Sequence, residues 1–291
     1  MKEVLFISLL SLLAISCSKE SIKDENTLVP VKVHLTNFSI SMEEFSDTRA
    51  TQDVTNYSGV KAVTLAFYTS DGTEVYKSTQ LKDDATTYTT FGEFSCNLQI
   101  GSYTMVAIAR GHQDGDVFTL TSPTVAAYTG DKVRETFTAT QSVTVTASGT
   151  NEFSATLNRV IAKVAVVSTD NRPASASKVR VSFAKGSKSF NPTTGLATSD
   201  GGFAFTHAPS SDAGSPVDVG GYLFLASDEE SMNVSIQVLD ADDNVLLTKQ
   251  IENVPFKRNR ITRLRGDLFT RASTLALQVE NSWLDTEVIN F

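Results

Sequence analysis

Apolar and polar residues alternate in short runs along almost the whole chain, and that period of two commits it to strands. Val31-x-Val33-x-Leu35, Val63-x-Leu65-x-Phe67, Val179-x-Val181-x-Phe183, Val234-x-Ile236-x-Val238 and Leu275-x-Leu277-x-Val279 each repeat at every second residue. Successive side chains of a strand point to opposite faces, so each run buries one face and wets the other. Threonine, serine, valine and phenylalanine crowd the sequence, and β-branched and aromatic side chains fit a pleated, half-buried surface. Asp71-Gly72, followed by Glu74-Val75-Tyr76, is a hairpin signal because glycine supplies the backbone conformation a tight turn needs. Many short strands at this spacing predict an all-β protein of sandwiches rather than a parallel α/β sheet.

With 291 residues the chain has room for two domains, each with its own core. Phe153 to Val167 is long, apolar and broken only by Asn158, Arg159 and Lys163. A helix could form there, but Val160, Ile161, Val164, Val166 and Val167 favour a strand. The polar tract Ser168 to Ser177 follows. These features predict a sandwich over residues 28–152 and a second over 153–291. Asn191 to Gly221, rich in Gly and Pro, reads as an elaborated loop.

The N-terminus sets the compartment. Lys2, the apolar run Val4 to Ile15 and Ser16-Cys17 predict a lipoprotein export signal over residues 1–16, with Cys17 taking the lipid. The run is shorter than the roughly 20 residues that span a bilayer. A net charge of −8 makes nucleic acid an unsuitable partner. If Cys17 carries lipid, Cys96 is alone, and its place in Phe94-x-Cys96-x-Leu98-x-Ile100 points it into a core.

Catalytic constellations are thin. His34, His112 and His207 are scattered, and no His-Glu-x-x-His, Gly-x-Ser-x-Gly, phosphate loop or Cys-x-x-Cys occurs. Asp240, Asp242, Asp243 and Asn244 have calcium-like spacing but lack the glycine and distal glutamate of a calcium loop, so a solvated hairpin turn is the expectation. Lys257, Arg258, Arg260, Arg263, Arg265 and Arg271 read as the wet side of a strand, where cations also discourage edge pairing. Arg265-Gly266-Asp267 is too short a match to carry weight. The sequence therefore predicts no enzyme, no cofactor and no bound metal.

Val254-Pro255, Arg258-Asn259, Thr262 and Gly266-Asp267-Leu268, in that order, together with Phe153-x-Ala155-x-Leu157-x-Arg159-Val160, resemble Bacteroidota fimbrillin-like proteins, the subunits of type V pili. The resemblance implies two transthyretin-like or Ig-like Greek-key β-sandwiches in tandem. It implies a fimbrial lipoprotein at the outer membrane and cell surface, whose partners are other fimbrial subunits, the membrane through its lipid, and a host or bacterial receptor. In such proteins a cut after an arginine removes the lipid and the first strand, and a neighbour's strand fills the groove. Carried onto this chain, the lipid-tethered segment is 17–49, the bond is Arg49–Ala50, and the removable strand holds Val31, Val33 and Leu35. Leu275, Leu277, Val279, Val288, Ile289 and Phe291 are candidate donor residues, although Trp283 to Phe291 extends only about 30 Å, short for a free donor. That brevity leaves room for an anchor or accessory subunit. The alternative is a glycan-binding surface lipoprotein that does not polymerise, using Trp283 with Tyr76, Tyr88 or Tyr128 as sugar platforms.

Overall fold

The computed structural model describes residues 27–40, 50–53, 57–270 and 276–280, and every regular element among them is a strand. The all-β expectation holds. The leader, Cys17, Arg49, Arg271, Leu275, Trp283, Val288, Ile289 and Phe291 lie outside the described residues.

The first half contributes β1 (Leu28–Ile40), β2 (Ala50–Asp53), β3 (Ala62–Tyr68), β4 (Glu74–Leu81), β5 (Glu93–Gln99), β6 (Gly101–Arg110), β7 (Phe118–Ser122), β8 (Val125–Tyr128), β9 (Thr136–Val145) and β10 (Asn151–Arg159). One sheet runs β2-β1-β10-β9-β6-β3-β4, with β5 also paired to β1. Only two residue pairs, Asn158 with Thr138 and Arg159 with Phe137, join β10 to β9. At that thin seam the sheet folds over itself, and Val31, Val33, Phe94 and Leu157 meet Val63, Leu65, Met105 and Phe137 in one core. The Asp71-Gly72 hairpin forms as expected: Gly72 has φ +85° and donates its N–H to the Thr69 carbonyl at 2.9 Å.

The second half contributes β11 (Ala162–Ser168), β12 (Lys178–Phe183), β13 (Ser189–Phe190), β14 (Phe203–His207), β15 (Asp218–Leu223), β16 (Glu229–Leu239), β17 (Val245–Lys257), β18 (Ile261–Gly266) and β19 (Ala276–Glu280). The sheets β15-β11-β18-β19 and β14-β12-β16-β17 enclose a second core, in which Val164, Val166 and Leu264 face Val181, Phe183, Ile236 and Phe256. Residues 191–221 are more regular than their Gly and Pro content predicts, because they hold β14 and the start of β15. Gly221 there lies against the Phe205 ring, where a Cβ would come within 2.3 Å; its glycine serves packing, not a turn.

A third core joins the halves. β3 and β6 are buried on both faces: Val63, Leu65 and Met105 look into the first core, and Ala66, Tyr68, Val106 and Ile108 look out into another. Leu120, Ala126 and Tyr128 cover this outer face together with Val160, Ile161, Phe190 and Phe224 from the second half. Phe190 stacks on Phe224 at 4.3 Å between centroids, and β13 pairs with β8. The apolar stretch 153–167 is thus two strands with the turn Val160-Ile161 between them. β10 packs with the first core, and the change of core falls between Leu157 and Ala162.

Candidate functional site

β1 holds the three residues that the resemblance marks as a removable strand, Val31, Val33 and Leu35. It is an interior strand, antiparallel to β5 over Leu28–His34 and parallel to β10 over Val31–Ser39. Val31, Val33 and Leu35 are 1 %, 0 % and 0 % exposed, and the Leu35 N–H reaches the Gly92 carbonyl at 2.9 Å. The alternate side chains face out, where Lys32 meets Glu152 at 4.0 Å and His34 meets Glu93 at 3.5 Å. Such exposed pairs add little, so apolar burial and ladder bonds hold the strand. Without β1, its groove would be lined by Phe94, Leu98, Ala155 and Leu157 and flanked by two unpaired backbone edges.

At its other end β1 pairs antiparallel with β2, which begins at Ala50, with Ile40 opposite Ala50. The Arg49–Ala50 bond therefore stands at the entry to β2. A break there leaves β1 tied to the rest of the chain only by non-covalent contacts.

Two of the candidate donor residues, Leu277 and Val279, lie in β19, opposite Leu264 and Thr262 of β18. β19 is the last strand of its sheet. Just before it, Asp170 grips the chain: its carboxylate accepts from the Leu268 and Phe269 N–H groups and the Thr270 hydroxyl at 2.7, 2.8 and 2.9 Å. Burial raises the Asp170 pKa, but these bonds prevail and hold it below the usual carboxylate value.

Sequence reasoning missed a polar lock between the halves. Arg159, at the end of β10, reaches Glu135 at 2.7 Å, the Tyr57 hydroxyl at 3.2 Å and Asn259 of the second half at 2.9 Å, with its guanidinium over the Phe137 ring. Tyr57 donates to Glu135 at 2.8 Å, and burial, then the Glu135 charge, pushes its pKa up to about 12. Asn259 sits at φ +61° and donates its N–H to the Ile161 carbonyl at 2.7 Å. Asn259 of the Arg258-Asn259 pair of the resemblance is therefore a joint, while Arg258 bonds within the second half, to Asp228 and the Thr194 carbonyl. The lock's signal was a lone arginine in an apolar strand, which demands a buried partner.

The remaining sequence candidates find structural places. Cys96 packs against the first core, and burial pushes its thiol up to about 11, so little nucleophilic thiolate forms near neutral pH. Asp240 accepts from the Asp242 and Asn244 N–H groups at 2.9 Å each, in the β16–β17 hairpin. In the basic stretch Lys257 pairs with Glu229, and Arg258 with Asp228 at 2.6 Å. Arg265 and Gly266 pair with Val167 and Ser168 along β11, so the tripeptide does not crown a free loop. Of the tyrosines named as sugar platforms, Tyr128 is buried, its hydroxyl bonded to Thr136 at 2.7 Å. Tyr76 and Tyr88 instead line one cleft between β4, β5 and β1.

Residues 26–289 match a family described as of unknown function, DUF6562. The chain belongs to DUF6562. No curated protein matches it in sequence. Among solved structures, this DUF6562 chain shares its fold with the fimbrial anchor protein Mfa2 of Porphyromonas gingivalis, at 11 % identity and a TM-score of 0.52, covering 90 % of this chain and 100 % of that one. A candidate polysaccharide-binding protein of Bacteroides thetaiotaomicron matches at 13 % identity and 0.51, over 89 % and 98 % of the two chains. A candidate adhesin of Bacteroides ovatus matches at 12 % and 0.50, over 84 % and 88 %. At these identities the likeness is one of fold, and at that level the fimbrillin-like resemblance of the DUF6562 chain holds.

Proposed function

We propose that this protein is a non-enzymatic subunit of a cell-surface fimbria, exported as a lipoprotein through Cys17 to the outer membrane and joined to its neighbours by strand exchange. Its work is assembly and adhesion. The observation that carries the reading is β1: an interior strand with three fully buried apolar side chains, whose covalent return to the chain runs through the Arg49–Ala50 bond. After cleavage β1 stays seated by non-covalent contacts alone, and a strand from another subunit can displace it from its apolar groove, supplying both the hydrogen bonds and the alternating side chains. The shared fold of the fimbrial anchor protein supports the same reading. So does the division into two modules, which we place at residues 28–159 and 162–280, the junction several residues beyond the 152/153 boundary expected from the pattern.

Within that role an anchor or accessory position fits better than a stalk position. β19 is engaged on β18 and Asp170 clamps the chain just before it, so the candidate donor Leu277 and Val279 are already in use.

An immunoblot of unboiled outer-membrane extract tests the assembly. The expected result is a high-mass ladder that collapses on heating, and a lone monomer before and after heating overturns it. Labelled palmitate tests maturation separately: Arg49→Ala should retain lipid in any pool from which the native chain loses it.

A further inference from the structure

The cleft between β4, β5 and β1 is a site of its own. It has a volume of about 440 Å³, within the range of roughly 300–1,000 Å³ typical of ligand clefts. Among the described residues β4 is the last strand of its sheet and β5 is joined through β1, so no described strand pairs these two across the gap. The Gln80 side chain bridges one end, donating to the Glu93 carbonyl at 2.6 Å and accepting from the Gly92 N–H at 2.8 Å. Beyond that bridge the gap stays open.

We infer that this cleft binds a short neutral oligosaccharide. Two tyrosine rings, Tyr76 and Tyr88, stand in its wall, each packed on the first core and tilted against a buried phenylalanine, Phe67 at 6.2 Å and Phe91 at 5.6 Å between centroids. Rings held in place offer flat faces at little entropic cost, and their negative quadrupole suits the C–H face of a pyranose. Between the rings the wall carries hydroxyls, from Ser78, Thr89, Thr90 and Ser95, which both donate and accept and so match sugar hydroxyls. The two ionised side chains of the lining, Lys32 and Glu93, are of opposite sign, and Lys32 also reaches Glu152 at 4.0 Å. A cleft without a surplus cation is poorly suited to phosphate or sulfate, and one lined by hydroxyls and an amide is poorly suited to an acyl chain.

Lys32 and His34 belong to β1, so the cleft is complete only while that position of the sheet is filled. The inference does not depend on polymerisation, and a monomer would bind equally well.

Calorimetry decides it, using the full chain in a zwitterionic detergent that carries no sugar, with maltotriose, cellotriose, mannotriose and triacetylchitotriose as probes. At least one is expected to bind with Kd of about 0.1–1 mM, and Tyr88→Ala should weaken it by about 10-fold or more. Ser95→Trp, at an exposed position, fills the cleft without removing a core contact and should abolish binding while leaving the melting temperature in place. Gln250→Trp, on β17 of the other core, should leave binding unchanged. No binding of any probe up to about 10 mM, or equal affinity in Ser95→Trp, overturns the inference.

Discussion

Arg159 shows how one side chain can couple two halves of a molecule. Its side chain is 2 % exposed and that of Glu135 9 %, so removing the guanidinium strands a buried carboxylate. Arg159→Ala is therefore expected to cost about 3–5 kcal/mol in urea unfolding. The double variant Arg159→Met with Glu135→Gln should cost less than the single change, because neither partner is left charged and alone. Asp170 makes a pH-dependent contribution. Its folded pKa is depressed, so its stabilisation is fully present above the unfolded value of about 3.9 and is lost as pH falls through the lower folded value. Melting curves of the native chain and Asp170→Asn should differ most above about pH 5 and converge as pH falls from the unfolded value of about 3.9 through the lower folded value. None of the Asp170 pairing was legible in the sequence. A polar residue that caps a segment about one hundred positions away leaves no periodic trace, whereas Arg159 did announce itself by interrupting an apolar run.

At the scale of elements, most strands were legible because one face of each is wet and the other dry. The sequence pattern blurs where that contrast fails. β3 and β6 carry apolar residues on both faces, Val63, Leu65, Phe67 and Met105 on one and Ala66, Tyr68, Val106 and Ile108 on the other, and a run that is apolar throughout, or broken only by Thr64, marks a strand covered on both sides. Read that way, Ala62–Tyr68 and Met105–Ala109 would have pointed to the third core. The stretch 153–167 could not be split by pattern, because Val160 and Ile161 at its corner are as buried as the strands beside them. β1 makes a prediction of its own. Limited trypsin digestion should cut at Arg49–Ala50, yet the fragment carrying β1 should co-elute with the remainder in native buffer and separate only in denaturant. Leu35→Glu, which buries a charge among Phe94 and Leu157, should release the fragment without denaturant. Prompt loss of the native fragment would show that the strand is held more weakly than its burial implies.

Over the whole molecule, the outer face of β3 and β6 is covered by residues of the second half, and this ties the stability of the two halves together. Both should melt in one cooperative transition rather than two. Phe224→Ala, which empties the stack on Phe190 and Tyr128, is expected to cost about 3–5 kcal/mol and to split the calorimetric peak. A native chain that already melts in two steps would refute the coupling. The overall class was readable from the alternation, and the order of strands was not, because register between distant strands depends on shape rather than on any local signal.

The parallel ladder between β1 and β10 has a consequence for the order of events during biogenesis. The stretch that leaves the ribosome first finds its neighbour more than a hundred residues later, and such distant closures are slow. A nascent chain can pair β1 with β5 earlier, but it must emerge past Arg159 before the second edge of β1 is covered. During that interval the uncovered edge of β1 stands open to whichever extended peptide arrives soonest.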